Sequence, residues 1–335
     1  MRVHFNLMYF RPQRYKKRLK DYPLWSFMKV FFKKKHIFCY FYNGKYLKSP
    51  TFEVKNRFMM KLVADAGSTK TAWGCVATGD SIESFETDGI NPVRDSSAAI
   101  AQIILQAKQH LLQTVVTEVD FYGAGCIAPY SDSVVTALRE AFPKADIYVE
   151  SDLLGAARAL CGHEEGIACI MGTGSNSCYY DGEHIVDNVS PLGWILGDEG
   201  SGAVLGRLLV GDVLKRQLPP SLCTAFFDQF RLSQADIIGA VYRSPQPNRF
   251  LASFVPFLAA HISEPAIHDL LFREFRRFFA RNVAAYGRPD LPVHFVGGVA
   301  SSFSKELSEA ADYEGFKLGR IERSPLSKMM AFHAE

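Results

Sequence analysis

The chain has 335 residues, 48% of them hydrophobic and 22% charged, the balance of a globular protein with enough length for two domains and real cores. Its seven cysteines are odd in number and hold no Cys-x-x-Cys pair, which excludes a disulfide framework and a zinc ribbon and fits a reduced, cytosolic protein. The net charge of +3 conceals an asymmetry: residues 1–58 carry 15 Lys or Arg against Asp21 and Glu53, a balance of +13, leaving −10 for the remainder.

Residues 1–58 also hold 16 aromatic residues, in runs such as Phe31-Phe32-Lys33-Lys34-Lys35 and Phe38-Cys39-Tyr40-Phe41-Tyr42, without helical or strand periodicity. Interleaved basic and aromatic residues suit a nucleic-acid arm or a membrane-surface anchor. A different expectation is preferred. Lys, Phe, Tyr and Asn have A/T-rich codons and Met59-Met60 stands just before the first regular strand, so this segment is expected to be a non-native upstream extension or disordered. It contains no secretory signal pattern, and the apolar runs of the chain are too short to span a bilayer.

From residue 60 onward the pattern is regular. Residues 61–64 and 72–78 predict two strands around a Gly-Ser turn, and 81–87 a third, followed by the loop Asp88-Gly89-Ile90-Asn91-Pro92. Asp95 or Ser96 can cap a helix to about 114, with Ile100, Ile103, Ile104, Ala107 and Leu111 on one face. A strand at 119–122, a helix at 131–142 and a strand at 147–150 follow, and Asp152 stands at the start of a helix over 153–160. The second half opens near Gly162 with strands at 167–171 and 178–180, a strand at 184–186 and a loop at 190–202. A helix over 203–218 stops at Pro219-Pro220, residues 221–287 are mostly helical, 292–296 is a strand ending at Gly297-Gly298, and 304–313 is a helix. Strands interspersed with helices argue an α/β fold with mixed sheets, divided into domains at 60–162 and 163–335.

Two turns carry the chemistry. Asp65-Ala66-Gly67-Ser68-Thr69-Lys70-Thr71 and Gly172-Thr173-Gly174-Ser175-Asn176-Ser177 each join two strands, and their Gly-Ser pairs lie 107 residues apart. Glycines let backbone N–H groups approach a ligand, and hydroxyls add donors, so each turn can cradle phosphate oxygens. Two like halves with one such hairpin each suggest a nucleotide held between them. No Gly-x-x-x-x-Gly-Lys-Ser/Thr occurs, against a P-loop. Gly123-Ala124-Gly125-Cys126-Ile127-Ala128, with Glu150 further on, matches a dinucleotide fingerprint but leaves both hairpins and Gly197-Asp198-Glu199-Gly200 without a role. Cys161, His163 and Cys169 read as buried protein rather than metal ligands.

Together with Gly193-Trp194 and Val296-Gly297-Gly298-Val299, these motifs resemble the N-acetylglucosamine kinases of the BadF/BadG/BcrA/BcrD ATPase family, in the actin, heat-shock chaperone and sugar-kinase superfamily. The resemblance covers about residue 60 to the C-terminus. It implies two ribonuclease-H-like domains with mixed sheets, closing over ATP and Mg²⁺ in a cleft. Asp65 is the implied magnesium residue, and Gly67, Ser68, Thr69, Lys70, Gly172, Thr173 and Gly174 the implied phosphate contacts. Gly297 and Gly298 fall near the adenosine, Asn91, Gly125, Cys126, Gly193, Trp194 and Asp198 around the sugar, and Asp152 at the catalytic base. The implied reaction is transfer of the γ-phosphate to the 6-hydroxyl of an amino sugar in the cytoplasm, by a homodimer that engages neither nucleic acid nor membrane. The alternatives are an ATPase activating a partner enzyme, for which no cysteine stands in an obvious cluster-binding position, and a nucleotide-dependent sugar sensor without catalysis. A chain beginning at Met60 is expected to be at least as soluble and active as the whole; a loss of either, by sedimentation and kinase assay, would refute the extension.

Overall fold

Alternation of apolar residues along the central strands gives each of two sheets two buried faces, and both sheets share one strand order. The protein, here a computed structural model, is described at residues 28–33, 36–41, 59–67, 69–77, 83–111 and 115–334, and the chain divides into units Met1–Asn56 and Arg57–Glu335. In the first unit β1 (Met28–Lys33) pairs antiparallel with β2 (His36–Phe41). Sequence reading found no strand periodicity there, but consecutive aromatic and β-branched residues favour extended backbone even without alternation. Most of the segment expected to be extraneous lies outside the described residues.

In the second unit β3 (Met59–Ala66), β4 (Lys70–Ala77) and β5 (Glu83–Asp88) form an antiparallel trio. Then α1 (Ser97–His110) leads to β6 (Val115–Gly123) parallel to β3, and α2 (Ser131–Ala141) to β7 (Asp146–Ser151) parallel to β6. The order is β5-β4-β3-β6-β7. After α3 (Asp152–Cys161) the scheme repeats with β8 (Gly166–Met171), β9 (Ser175–Tyr180), β10 (Ile185–Asp187), β11 (Val293–Val296) and β12 (Leu318–Glu322), ordered β10-β9-β8-β11-β12. Where the first half has one helix between its third and fourth strands, the second inserts seven: α4 (Gly193–Leu196), α5 (Gly202–Leu214), α6 (Pro220–Phe230), α7 (Gln234–Arg243), α8 (Pro247–Ala252), α9 (Val255–Ala260) and α10 (Pro265–Arg281). Then α11 (Gly298–Ser302) and α12 (Ser304–Glu314) precede β12, and α13 (Leu326–Phe332) closes the chain.

Several elements differ from expectation for local reasons. The helix expected to reach 114 ends at His110, its start capped by Ser96 Oγ accepting from the Ala99 N–H at 3.3 Å. The helix expected over 203–218 ends at Leu214, where Arg216 turns left-handed (φ 55°), and Pro220 opens α6 rather than merely stopping α5. The loop 190–202 contains the turn of helix α4, and strand β12 was not anticipated because Gly319 and Arg320 interrupt its apolar pattern.

Each sheet covers one face with its own helices and the other with a helix exchanged from the opposite half. On the first sheet Leu62, Trp73 and Phe121 pack under α1 and α2 with Ile100, Ile104 and Leu138. The second core is rich in phenylalanine, with Phe226, Phe254, Phe257, Phe275 and Phe278 over Ile167, Cys169 and Met171. The exchanged helices close both remaining faces. Leu153, Ala156, Ala157 and Leu160 of α3 pack on Ala168, Cys178, Tyr180 and Val296 of the second sheet, while Leu326, Met329 and Met330 of α13 pack with Val63, Ala72 and Tyr122 of the first. Gly155 permits α3 to meet the first sheet too, since a Cβ there would sit 2.7 Å from Cγ of the buried Tyr122. Gly155→Val is therefore expected to cost about 1–3 kcal/mol by overpacking, read as a lowered urea midpoint with unchanged slope.

Candidate active site

Strand ends and exchanged helix starts meet at one place. Asp65 stands at the carboxyl end of β3, on the face it shares with Val63, and the turn beyond it is closed by the Gly67 N–H donating to Lys70 O at 3.0 Å. Ser68 lies outside the described residues. Asp152 is the first residue of α3, but it is not the cap. Ser151 Oγ accepts from the Leu154 N–H at 3.2 Å, so the Asp152 carboxylate, which accepts from its own and the Leu153 N–H, is left to face the cavity.

That cavity is about 500 Å³ and is walled by Asp65, Gly67 and Lys70, by Asp152 and Ala156, by Ile170, Gly297 and Gly298, and by Arg323, Ser324 and Pro325 ahead of α13. Two carboxyls share it. Burial, reinforced by the charge of Asp152, raises Asp65 to about 6, with Lys70 pulling the other way; burial raises Asp152 to about 6 against its backbone donors. Cys126 lies within electrostatic reach of Asp152, and burial with that charge pushes its thiol up to about 12. Gly125 packs against the Asn91 side chain, whose Oδ1 accepts from the Val93 N–H at 3.1 Å.

The second hairpin adjoins the same wall. Gly297 has φ 135°, and a Cβ would lie 2.3 Å from Met171 O, so only glycine brings β11 this close to Gly172. The carbonyls of Gly172 and Thr173 accept from the Gly202 and Ala203 N–H groups at 2.8 and 3.0 Å, tying the turn to the start of α5. Asp198 packs beside Gly174 in a left-handed conformation (φ 51°), its carboxylate accepting from the Ser175 N–H and raised to about 6, first by burial and then by Glu199. Such a backbone in a residue other than glycine persists only where the surroundings hold it. They do so through Glu199, which is buried, accepts from Arg281 Nε and from Asn282 Nδ2 at 3.3 Å, and offers its carbonyl to Ser175 Oγ at 2.9 Å.

Asp65, Gly67, Lys70, Asp152, Gly297 and Gly298 thus come together in the cavity wall, with Gly172 against Gly297. Thr69, Asn91, Gly125, Cys126, Thr173, Gly174, Gly193, Trp194 and Asp198 are not part of that wall. Trp194 is half-buried on the second core from α4, Thr69 is exposed, and Lys70 is ion-paired with Glu86. Sequence reading noted Ser324-Pro325 in the tail but gave neither it nor Arg323 a place in the site, because the strand that delivers them was not seen, and missed Arg281 and Asn282, whose partner is over 80 residues away. The glycines 123 and 125 do not open a helix, since α2 starts only at Ser131, which removes the dinucleotide-fingerprint reading. Cys161, Cys169 and Cys178 are buried free thiols whose ionisation is pushed up by burial.

Two ribonuclease-H-like domains of one strand order about a cleft, each with a glycine hairpin, define a sugar-kinase fold. No family model and no curated protein matches the chain. Among solved structures, a Porphyromonas gingivalis protein provisionally named an N-acetylglucosamine kinase is 46% identical, with a TM-score of 0.76 over 82% of this chain and 99% of that one. A Chromobacterium violaceum protein of the same provisional name shares the fold at 18% identity, with a TM-score of 0.68 and the same 82% and 99% coverage. The chain belongs to this N-acetylglucosamine kinase-like family of sugar kinases. Among the described residues no helix is long and apolar enough to cross a membrane.

A carboxyl whose pKa rises on folding stabilises the fold while protonated and loses that contribution as pH climbs through its folded value. With Asp65 and Asp152 both raised to about 6, stability is expected to fall between about pH 4 and pH 7. Asp65→Asn is expected to be about 1–3 kcal/mol more stable than the parent at pH 7 and equal to it below about pH 4, by urea unfolding across the range.

Proposed function

We propose that the protein is an ATP-dependent kinase that phosphorylates the 6-hydroxyl of an amino sugar, N-acetylglucosamine first, in the cytoplasm. The observation that carries this is the pair Asp65 and Asp152 in one cavity of a sugar-kinase fold, with Lys70 and Arg323 at its wall. The residues suit the groups required. Carboxylate oxygens without soft donors are the ligands magnesium takes alongside water, and two half-buried carboxyls held above their usual range gain most from a divalent cation. Lys70 and Arg323 offer positive charge to phosphate oxygens, and Gly298 faces open space. When bound, magnesium and ATP supply the transferable phosphoryl group and neutralise its charge.

The chain's own residues do the rest. Asp65 holds the metal, Gly67, Ser68, Thr69 and Lys70 with Gly172, Thr173 and Gly174 hold phosphates, and Gly297 and Gly298 flank the adenosine. Asn91, Gly125, Cys126, Gly193, Trp194 and Asp198 orient the sugar. Asp152 accepts a hydrogen bond from the sugar hydroxyl and takes its proton, and a pKa of about 6 keeps it ionised yet basic near neutral pH. The relatives' provisional name supports the amino sugar as substrate.

Asp152→Asn keeps shape and loses the base, so turnover is expected to fall about 10²–10⁴-fold with folding and ATP affinity retained. Coupled ADP release over a panel of N-acetylglucosamine, glucosamine, N-acetylmannosamine and glucose measures both substrate and loss; near-normal turnover would leave Asp152 without its role. Thr173→Ala is expected to weaken nucleotide binding more than sugar binding by calorimetry, and the reverse would reassign the second hairpin.

A further inference from the structure

On β6 the alternation Glu118-Val119-Asp120-Phe121-Tyr122 sends Val119 and Phe121 into the first core and leaves Glu118, Asp120 and Tyr122 on the face covered by α13. Just past the end of α13, His333 comes down on them. Its Nδ1 is 3.3 Å from Asp120 Oδ2, its Nε2 is 2.8 Å from the Tyr122 hydroxyl, and Arg158 of α3 donates to that hydroxyl at 2.6 Å. The donor atoms of Glu118, Asp120 and His333 all lie within 4.8 Å of one another.

One of these atoms is unaccounted for. Asp120 is 6% exposed, and its Oδ2 is buried without a hydrogen-bond partner, because the imidazole, though close, does not meet it in hydrogen-bond geometry. An unsatisfied buried carboxylate oxygen costs about 1–3 kcal/mol or more. The other cations nearby are placed elsewhere: Lys61 Nζ sits 3.0 Å from Glu118 Oε1 and Arg158 is engaged with Tyr122.

We propose that Glu118, Asp120 and His333 form a binding site for a divalent transition-metal ion of the zinc class, which fastens the end of α13 to the first sheet. One imidazole nitrogen with two carboxylate oxygens is a zinc-type donor set. Ligands about 2.1 Å from a tetrahedral ion lie about 3.4 Å apart, which the Nδ1 to Oδ2 separation already matches. Glu118, a quarter exposed and ion-paired with Lys61, would turn from that amine to complete it. Tyr122 on Nε2 is the outer partner that a metal-bound imidazole requires, orienting the ring. Because Pro325, just before α13, walls the cavity, the ion would anchor one wall of the active site from behind.

The test uses the full chain with zinc alone and no nucleotide. Equilibrium dialysis is expected to show, beside any ion taken up at Asp65, a saturable site that is weakened at least tenfold in His333→Ala and in Asp120→Asn, with Tyr122→Phe about tenfold weaker. Cobalt in place of zinc is expected to show the visible absorption of a tetrahedral nitrogen and oxygen site in the parent and not in His333→Ala. Zinc is also expected to raise the thermal midpoint of the parent more than that of either ligand variant, circular dichroism confirming that both are folded. No saturable binding, or zinc held equally by the parent and both ligand variants, would overturn the site.

Discussion

The exchange of α3 and α13 between the two sheets is the constraint on which the remaining geometry depends. A helix that packed on its own sheet would give each half a closed core and leave nothing to fix the angle between halves. Here each half is completed only by the other: the second sheet needs Leu153, Ala157 and Leu160, and the first needs Met329 and Met330. The two helices also touch each other, with the Arg158 guanidinium 5.4 Å above the Phe332 ring and His163 4.7 Å from it. Both helix starts therefore arrive at the seam with defined positions. That is where Asp152 and the Arg323 to Pro325 segment line the cavity.

The seam carries an electrostatic load that ordinary core formation would avoid. Asp65 and Asp152 stand half-buried in one cavity, and Asp198 is raised by burial in a strained loop. Each feature opposes folding in the absence of a cation or polar ligand, and together they mark where stability has been surrendered to chemistry. The surplus comes from elsewhere, chiefly the apolar contacts of the phenylalanine-rich second core and the exchanged helices.

How much of this was legible depends on whether the signal was local. Strands β3, β4, β8 and β9 and both glycine turns were readable because periodicity and turn residues sit side by side in the chain. Asp65 and Asp152 were placed at strand ends by the same local logic, and resemblance supplied their roles. Glu199 was visible only as half of an acidic turn. Its separation from Asp198, one carboxylate turned inward to Arg281 and Asn282 and the other held beside Gly174, depends on α10 arriving from far along the chain. Strand β12 failed for the opposite reason: Gly319 is required there because a Cβ would lie 2.4 Å from His294 Nδ1, a packing demand that looks like a strand breaker in sequence.

The asymmetry between the halves follows from the same logic. Both sheets repeat one topology, yet seven helices enter the second half between its third and fourth strands, and the loop bearing Gly193, Trp194 and Asp198 sits at the head of that insertion. The loop is held by its far end: Arg281, at the last residue of α10, reaches back to Glu199. Removing the guanidinium would leave the Glu199 carboxylate buried with Asn282 as its remaining side-chain partner, a loss that water at the half-exposed Arg281 tempers. Asp198 takes its left-handed backbone next to that anchor, so the insertion and the loop act as one mechanical piece. The glycine hairpins need only short-range turn chemistry and could recur in each half. A loop shaped by a long-range ion pair needed added structure to hold it, and the insertion is that structure.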